Sequence, residues 1–165
     1  MRVRLGTNKD VEKIARIYEI SKDFMRENNN PTQWRPNYPL AIDFEDDIKD
    51  GIGYVIENDE GEVVAGFAFI IGEDPTYLEI EDGSWIDNSK YGTIHRLASL
   101  PHEHNVFDTC LEFCLSKINH LRADTHVDNK IMLHLLESRG FKRCGIITVI
   151  NNTKREAYEL IKKEN

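Results

Sequence analysis

The sequence predicts an α/β domain of the α+β, mixed-sheet kind, a single central sheet of about six or seven strands flanked by about four helices. Three observations lead there. Apolar residues recur with a helical period in some segments and in short strand-like runs in others, giving the order β-α-α-β-β-β-α-β-α-β-β. Val63–Ile71 is apolar on both faces, which marks a central strand. The helical segments between residues 91 and 140 make connections long enough to join parallel strands.

Each element has its own signal. Residues 2–5 alternate as a first strand, and Thr7 followed by Asp10 reads as a helix start with a cap and a first-turn acid. Val11, Ile14, Ala15, Tyr18 and Met25 share a helical face, widened by Ile17, Ile20 and Phe24, and Asn28-Asn29-Asn30-Pro31 ends the helix near Glu27. Residues 31–39 hold Pro31, Pro36, Pro39 and Trp34 and read as a loop able to cover a pocket. A short acidic helix over 41–50 ends at Gly51. Residues 54–56, a turn over 58–61 and Val63–Ile71 form a hairpin.

Residues 73–90 are irregular and acidic. A strand over 93–100 turns at Pro101, and a helix follows with Phe107, Cys110, Leu111, Cys114, Leu115 and Ile118 on one face. After a strand over 121–127, Asp128 caps a helix carrying Ile131, Met132, Leu135 and Leu136, closed by Gly140 with Phe141 packing back. Two last strands, over 143–150 and 155–161, meet at Asn151-Asn152-Thr153.

Composition narrows the function. A chain of 165 residues suits one domain, 1–165, that buries roughly 68–70% of its unfolded surface without a disulfide or metal staple. The 40% apolar content, with two Trp, six Tyr and seven Phe, supplies a core and argues against disorder. Lys and Arg number 21 against 29 Asp and Glu, a net −8 with no basic run, so nucleic acid is not an expected partner. Cys110, Cys114 and Cys144 lack zinc-ligand spacing, and the first two read as core thiols. Without a leader pattern or an apolar run near the ~20 residues of a membrane span, the expectation is a cytoplasmic protein with no membrane partner.

Several side chains could carry chemistry. Residues 73–87 hold Glu73, Asp74, Glu79, Glu81, Asp82 and Asp87 with no basic residue, either as a solvated loop or as a patch that attracts a cationic amine. On a strand, Glu79 and Glu81 share a face, where either accepts a proton directly or through water. His95, central in its strand, has the pKa class of a base near neutral pH, or serves structurally. Asp124 and His126 alternate onto one face, as an acid–imidazole pair or as an inter-strand hydrogen bond. Trp34, Tyr38 and Trp85 wall a substrate pocket or pack down. His102-Glu103-His104 has no metal-ligand spacing, so no metal is expected.

Four segments in order carry a resemblance. They are Ile94-His95-Arg96-Leu97-Ala98-Ser99, the helical Cys110-Leu111-Glu112-Phe113-Cys114, Arg122-Ala123-Asp124-Thr125-His126-Val127-Asp128-Asn129-Lys130, and Leu136-Glu137-Ser138-Arg139-Gly140-Phe141. Together they resemble the GNAT-type, acetyl-CoA-dependent N-acetyltransferases, in particular a bacterial subgroup with a D-T-H-x-D-N-x-x-M segment and a closing G-F. The resemblance covers nearly the whole chain. It implies a GNAT-like acyl-CoA N-acyltransferase fold and direct transfer from acetyl-CoA to a primary amine of a small molecule or peptide. In the family the strand matching 93–100 splays from the one matching 121–127, and the pantetheine arm inserts there. Implied cofactor contacts are Leu97, Ala98 and Ser99, then His104, Asn105, Val106 and Phe107 at the diphosphate, and Asn129 and Met132 on the following helix. A homodimer through the last strands is also an expectation.

The sequence departs from that family in two places. The usual Q/R-x-x-G-x-G/A loop reads His102-Glu103-His104-Asn105-Val106-Phe107, so Asn105 and Phe107 occupy the glycine positions. Asn tolerates left-handed backbone, whereas a Phe side chain crowds close phosphate approach. Leu136 stands where many members carry a tyrosine acid. These departures define the alternative, a GNAT-fold binding or regulatory module with weakened or lost coenzyme A binding.

Overall fold

The computed structural model describes residues 1–163. Its contacts fall into two compact units, the first from residues 1–69 and 95–113, the second from residues 70–94 and 114 onward. Seven strands form one sheet in the order β1-β2-β3-β4-β5-β7-β6, with four α-helices, which is the mixed sheet the sequence predicts.

In the first unit, β1 (Arg2–Leu5) leads through a 3-10 turn at Asn8–Asp10 into α1 (Val11–Glu27). The entry is fixed by charge. Arg4 donates from both terminal nitrogens to the Asp10 carboxylate at 2.9 Å, and the Thr7 N–H donates to Asp10 Oδ2 at 2.8 Å. α1 is amphipathic, and it buries Ile14, Ile17 and Tyr18 against Trp34, Phe44, Val55 and Ala98. The loop after α1 is tied back by buried Lys22, whose Nζ donates to the Pro36 carbonyl at 3.3 Å and pairs with Glu19 at 2.8 Å. α2 (Ala41–Lys49) then precedes the antiparallel β2 (Gly53–Glu57) and β3 (Val63–Ile71). β3 is buried from Val64 to Phe69, as its two-sided apolar sequence requires.

β4 (Gly92–Ser99) carries the chain to α3 (Val106–Leu115), and β5 (His120–Thr125) follows. The parallel register joins Gly92 to Leu121 and Thr93 to Arg122, the pairing that a long helical crossover permits. α4 (Lys130–Ser138) crosses to β6 (Lys142–Val149), and β7 (Thr153–Ile161) inserts between β5 and β6, antiparallel to both. β5 and β6 are therefore parallel without being neighbours.

Local boundaries differ from expectation where side chains take backbone roles. β5 stops at Thr125, and Asn129, not Asp128, caps α4, its Oδ1 accepting the Met132 N–H at 3.1 Å. Residues 73–90 are not wholly irregular, since Asp74 caps a 3-10 turn at Pro75–Tyr77 and Glu81 forms an antiparallel bridge with Ile146. That bridge requires glycine on both sides. A Cβ on Gly83 (φ +148°) would collide with the Cys144 carbonyl oxygen, and one on Gly145 (φ +158°) with the Glu81 carbonyl oxygen.

Candidate functional site

β4 contains an irregularity that periodicity does not reveal. Arg96, in mid-strand, has φ +51°. A non-glycine residue there costs roughly 1–2 kcal/mol, and such strain persists only where surrounding contacts impose it. The imposing contacts come from the side chain. Arg96 Nη2 donates to Asp47 Oδ1 at 2.5 Å, and Nη1 donates to the Tyr38 hydroxyl at 3.1 Å. Asp47, on α2, is only 5% exposed, whereas Tyr38 remains 40% exposed.

The electrostatics of this group follow from burial. Desolvation pushes the Asp47 carboxyl up, while the Arg96 guanidinium and, more weakly, His95 pull it down. Burial also drives the Tyr18 phenol up, with Arg96 opposing. Within the pair, Asp47 Oδ2 and Arg96 Nε are buried and have no hydrogen-bond partner among the described residues. Neither residue is singled out by sequence reasoning. The available signal was a charged residue, Arg96, with His95 beside it, between the apolar Ile94 and Leu97-Ala98 of a strand.

His95 lies on β4 beside Arg96 and is half-buried. Ala98 is core, Leu97 and Ser99 are half-buried, and the Ser99 carbonyl accepts from Ser21 Oγ at 3.5 Å. Further along the chain, Asn105 has φ +65° and receives both the N–H and the hydroxyl of Thr109, at 3.0 and 2.7 Å, on its carbonyl. His104 is exposed, while Val106 and Phe107 are buried in the first turn of α3. Asn105 thus supplies the left-handed backbone that a glycine would otherwise provide. The Phe107 side chain is packed away at 8% exposure, so it does not stand in the loop. Trp34 also packs down, edge-on to Tyr18 with ring centroids 5.9 Å apart.

The second unit holds the remaining predicted residues in other company. Glu79 is exposed and outside any strand, so it shares no strand face with Glu81. Glu81 pairs with Lys154 at 2.7 Å, and Asp82 with Arg143 at 2.9 Å, so basic side chains of β6 and β7 partly neutralise the acidic stretch. Asp124 accepts the Tyr77 hydroxyl at 2.7 Å and has Arg155 Nε at 3.9 Å. His126 lies just past β5, where its Nδ1 accepts the Asp128 N–H at 3.0 Å. Trp85 donates to the Tyr77 carbonyl at 2.8 Å and stacks against Arg122, whose guanidinium carbon lies 4.0 Å from the ring centroid. Asn129 caps α4, with Met132 half-buried in its first turn.

Among the described residues, no group of three or more His, Cys, Asp or Glu is placed to hold a metal, and no helix is long and apolar enough to cross a membrane. Cys110, Cys114 and Cys144 are buried and none is in a disulfide.

Among the described residues, the seven-stranded mixed sheet with four α-helices matches the GNAT acyl-CoA N-acyltransferase fold. Solved structures show the likeness to GNAT-type N-acetyltransferases expected from the sequence. An acetyltransferase of the GNAT family from Streptococcus agalactiae is 28% identical, with a TM-score of 0.88 over 99% of this chain and 96% of that one. A GNAT-family acetyltransferase from Listeria monocytogenes is 16% identical, with a TM-score of 0.71 over 98% and 94%. A ribosomal-protein-alanine N-acetyltransferase from Brucella melitensis is 15% identical, with a TM-score of 0.64 over 98% and 100%. The likeness to the last two is one of fold. The chain matches no family model and no curated protein.

Proposed function

We propose that this protein is an N-acetyltransferase that moves an acetyl group from acetyl-CoA to a primary amine. The observation that carries the reading is the likeness to the Streptococcus agalactiae GNAT acetyltransferase over 99% of the chain at 28% identity. The residues fit the donor. Asn105 at φ +65° gives the diphosphate loop its left-handed turn, and the buried Phe107 leaves that loop clear. Backbone groups of residues 104–107 would hold the diphosphate, and those of Leu97, Ala98 and Ser99 the thioester end.

When bound, acetyl-CoA supplies an acyl carbon already activated as a thioester. The chain's part is positioning and charge. The neutral amine nitrogen forms the new C–N bond as the C–S bond breaks, the nitrogen gives up its proton, and the departing thiolate takes one. Backbone N–H groups along Leu97 to Ser99 would stabilise the developing oxyanion. His95, one residue before the strained Arg96, is the proposed proton acceptor. Glu81 is less suited, because its carboxylate is already paired with Lys154 at 2.7 Å. We place the protein in the cytoplasm, where acetyl-CoA is at hand.

Calorimetric titration with acetyl-CoA, followed by a thiol-release assay over a panel of primary amines, tests the reading. Saturable binding with amine-dependent thiol release is the expected result. Absence of binding at millimolar acetyl-CoA would overturn it and favour a GNAT-fold module without coenzyme binding.

A further inference from the structure

Three side chains of the second unit stand in line. The Ser89 hydroxyl lies 3.2 Å from His120 Nδ1, and His120 Nε2 lies 2.8 Å from Glu159 Oε2. Glu159 also accepts Arg122 Nε at 2.8 Å, the Ile86 N–H at 2.7 Å and the Asp87 N–H at 3.3 Å. Surrounded by donors, it leaves the neutral imidazole its proton on Nε2 and turns the Nδ1 lone pair toward the Ser89 hydroxyl. A hydroxyl, an imidazole able to take its proton and a carboxylate that orients the imidazole are the parts of an activated nucleophile.

Burial is graded along the line. Glu159 and His120 are 1% and 2% exposed, whereas Ser89 is exposed together with Asp87, Asn88 and Lys90. A substrate therefore reaches the hydroxyl from solvent, and no part of the core has to open. The base behind it is fixed. Tyr91 stands edge-on to the His120 ring at 5.9 Å, and Arg122, which grips Glu159, lies over the Trp85 and Tyr91 rings.

We propose that Ser89, His120 and Glu159 form a nucleophilic triad that hydrolyses small carboxylic esters of phenols through an acyl-Ser89 intermediate. Ser89 Oγ bonds to the ester carbonyl carbon as His120 Nδ1 takes the hydroxyl proton, and the C–O bond to the phenol breaks. The departing phenolate takes that proton from Nδ1. Water then attacks the acyl carbon and gives a proton to Nδ1, the bond to Oγ breaks, and Ser89 recovers the proton as the acid leaves. The open surface selects the substrate class, because a weakly basic phenolate departs with the least help from oxyanion stabilisation. None of this rests on acetyl transfer to an amine.

Asp87 is the competing acceptor. The Ser89 N–H donates to its Oδ1 at 2.6 Å, and the Ser89 hydroxyl helps to hold its carboxyl below the ordinary value. Removing that carboxylate leaves the hydroxyl to His120, so Asp87→Asn should quicken the reaction.

The experiment treats the intact protein with diisopropyl fluorophosphate, maps the label by peptide mass spectrometry, and follows phenolate release from 4-nitrophenyl acetate. The expected result is one label, on Ser89, and acetyl on the same residue during ester turnover. Ser89→Ala, a change at an exposed position, should abolish both. His120→Gln keeps a donor for Glu159 without the base and should slow labelling by about a hundredfold or more. Thermal unfolding checks that this variant folds. Ser89→Cys keeps the whole network, and its thiol should react with iodoacetamide at least tenfold faster than a cysteine in a short peptide. The native cysteines are buried, which keeps that readout clean. A label that is absent or scattered over other residues, or a Ser89→Cys thiol of ordinary reactivity, overturns the triad. So does loss of labelling in Asp87→Asn, which would make Asp87 the base and His120 a structural partner of Glu159.

Discussion

Arg122 and Glu159 stand directly opposite each other across the β5–β7 ladder, and Arg122 Nε donates to Glu159 Oε2 at 2.8 Å. Both side chains are almost wholly buried, at 4% and 0% exposure. A buried ion pair is stable only when its other lone pairs and protons are satisfied, and here they are. Glu159 also accepts His120 Nε2 at 2.8 Å and the Ile86 N–H at 2.7 Å. Arg122 reaches the Asp87 carbonyl at 2.7 Å and lies between the Trp85 and Tyr91 rings, 4.0 Å from each centroid. Because Glu159 only accepts, His120 carries its proton on Nε2, and its Nδ1 faces Ser89 Oγ at 3.2 Å.

Removing one partner of such a pair strands the other. Glu159→Gln should cost about 3–5 kcal/mol in urea unfolding at neutral pH. The double substitution Glu159→Gln with Arg122→Met should cost clearly less than the sum of the single changes, the sign of a coupled pair. Additive losses would show that the two act independently.

The proposed diphosphate loop gives a test that separates backbone from side chain. Asn105→Gly relieves a left-handed asparagine and adds unfolded-state freedom, so stability should move by less than about 1 kcal/mol. If the loop holds coenzyme A, its affinity should rise or stay level, as read by calorimetry. Phe107→Gly behaves otherwise, because Phe107 is buried at 8% exposure. It should lose about 3–5 kcal/mol through a core cavity, so reduced binding in that variant would report on folding. A sharp loss of affinity in Asn105→Gly would argue against the proposed loop.

Much of the fold was legible because burial repeats at a fixed period. The stripe of Ile14, Ile17 and Tyr18, the two-sided β3 and the Gly140 stop (φ +92°) all stand where the pattern puts them. Pairings set by tertiary contact were not legible. Nothing in the order of residues shows that Lys154 and Arg143 reach back to Glu81 and Asp82, so from sequence the stretch reads either as a solvated acidic loop or as a patch for a cationic amine. The strain at Arg96 was equally hidden, since positive φ at a non-glycine residue is imposed by side-chain partners distant in sequence. Asn105 is the opposite case. Its tolerance of left-handed backbone is intrinsic to asparagine and could be anticipated.

Acid titration should expose the clasp at the start of α1. Arg4, hydrogen-bonded at 2.9 Å, holds the Asp10 carboxyl below its ordinary value of 3.8, against the opposing effect of burial. A depressed carboxyl contributes stability that is full above the unfolded value and is lost as pH falls through the folded one. Asp10→Asn should therefore be less stable than the parent by about 1–3 kcal/mol at neutral pH, and the gap should close below the ordinary carboxylate range. A gap that persists unchanged in acid would show that Asp10 acts through shape rather than charge.

His126 offers a local readout of the turn between β5 and α4. Burial pushes its pKa below the ordinary 6.5, the Asp128 carboxylate pulls it up, and Arg155 pushes it down again. Because Nδ1 accepts the Asp128 N–H at 3.0 Å, the neutral ring carries its proton on Nε2, and protonating Nδ1 breaks that bond. The unfolded chain takes the proton first as pH falls. The contribution of His126 to stability is thus complete above 6.5 and is lost between that value and the lower folded one. A ring-nitrogen NMR titration should show the Nε2–H tautomer at neutral pH and a midpoint below 6.5. Asp128→Asn should lower the midpoint further, since it removes a carboxylate that favours the charged ring while keeping the N–H. A midpoint that rises in Asp128→Asn would mean that the Asp128 carboxylate is not what favours the charged ring.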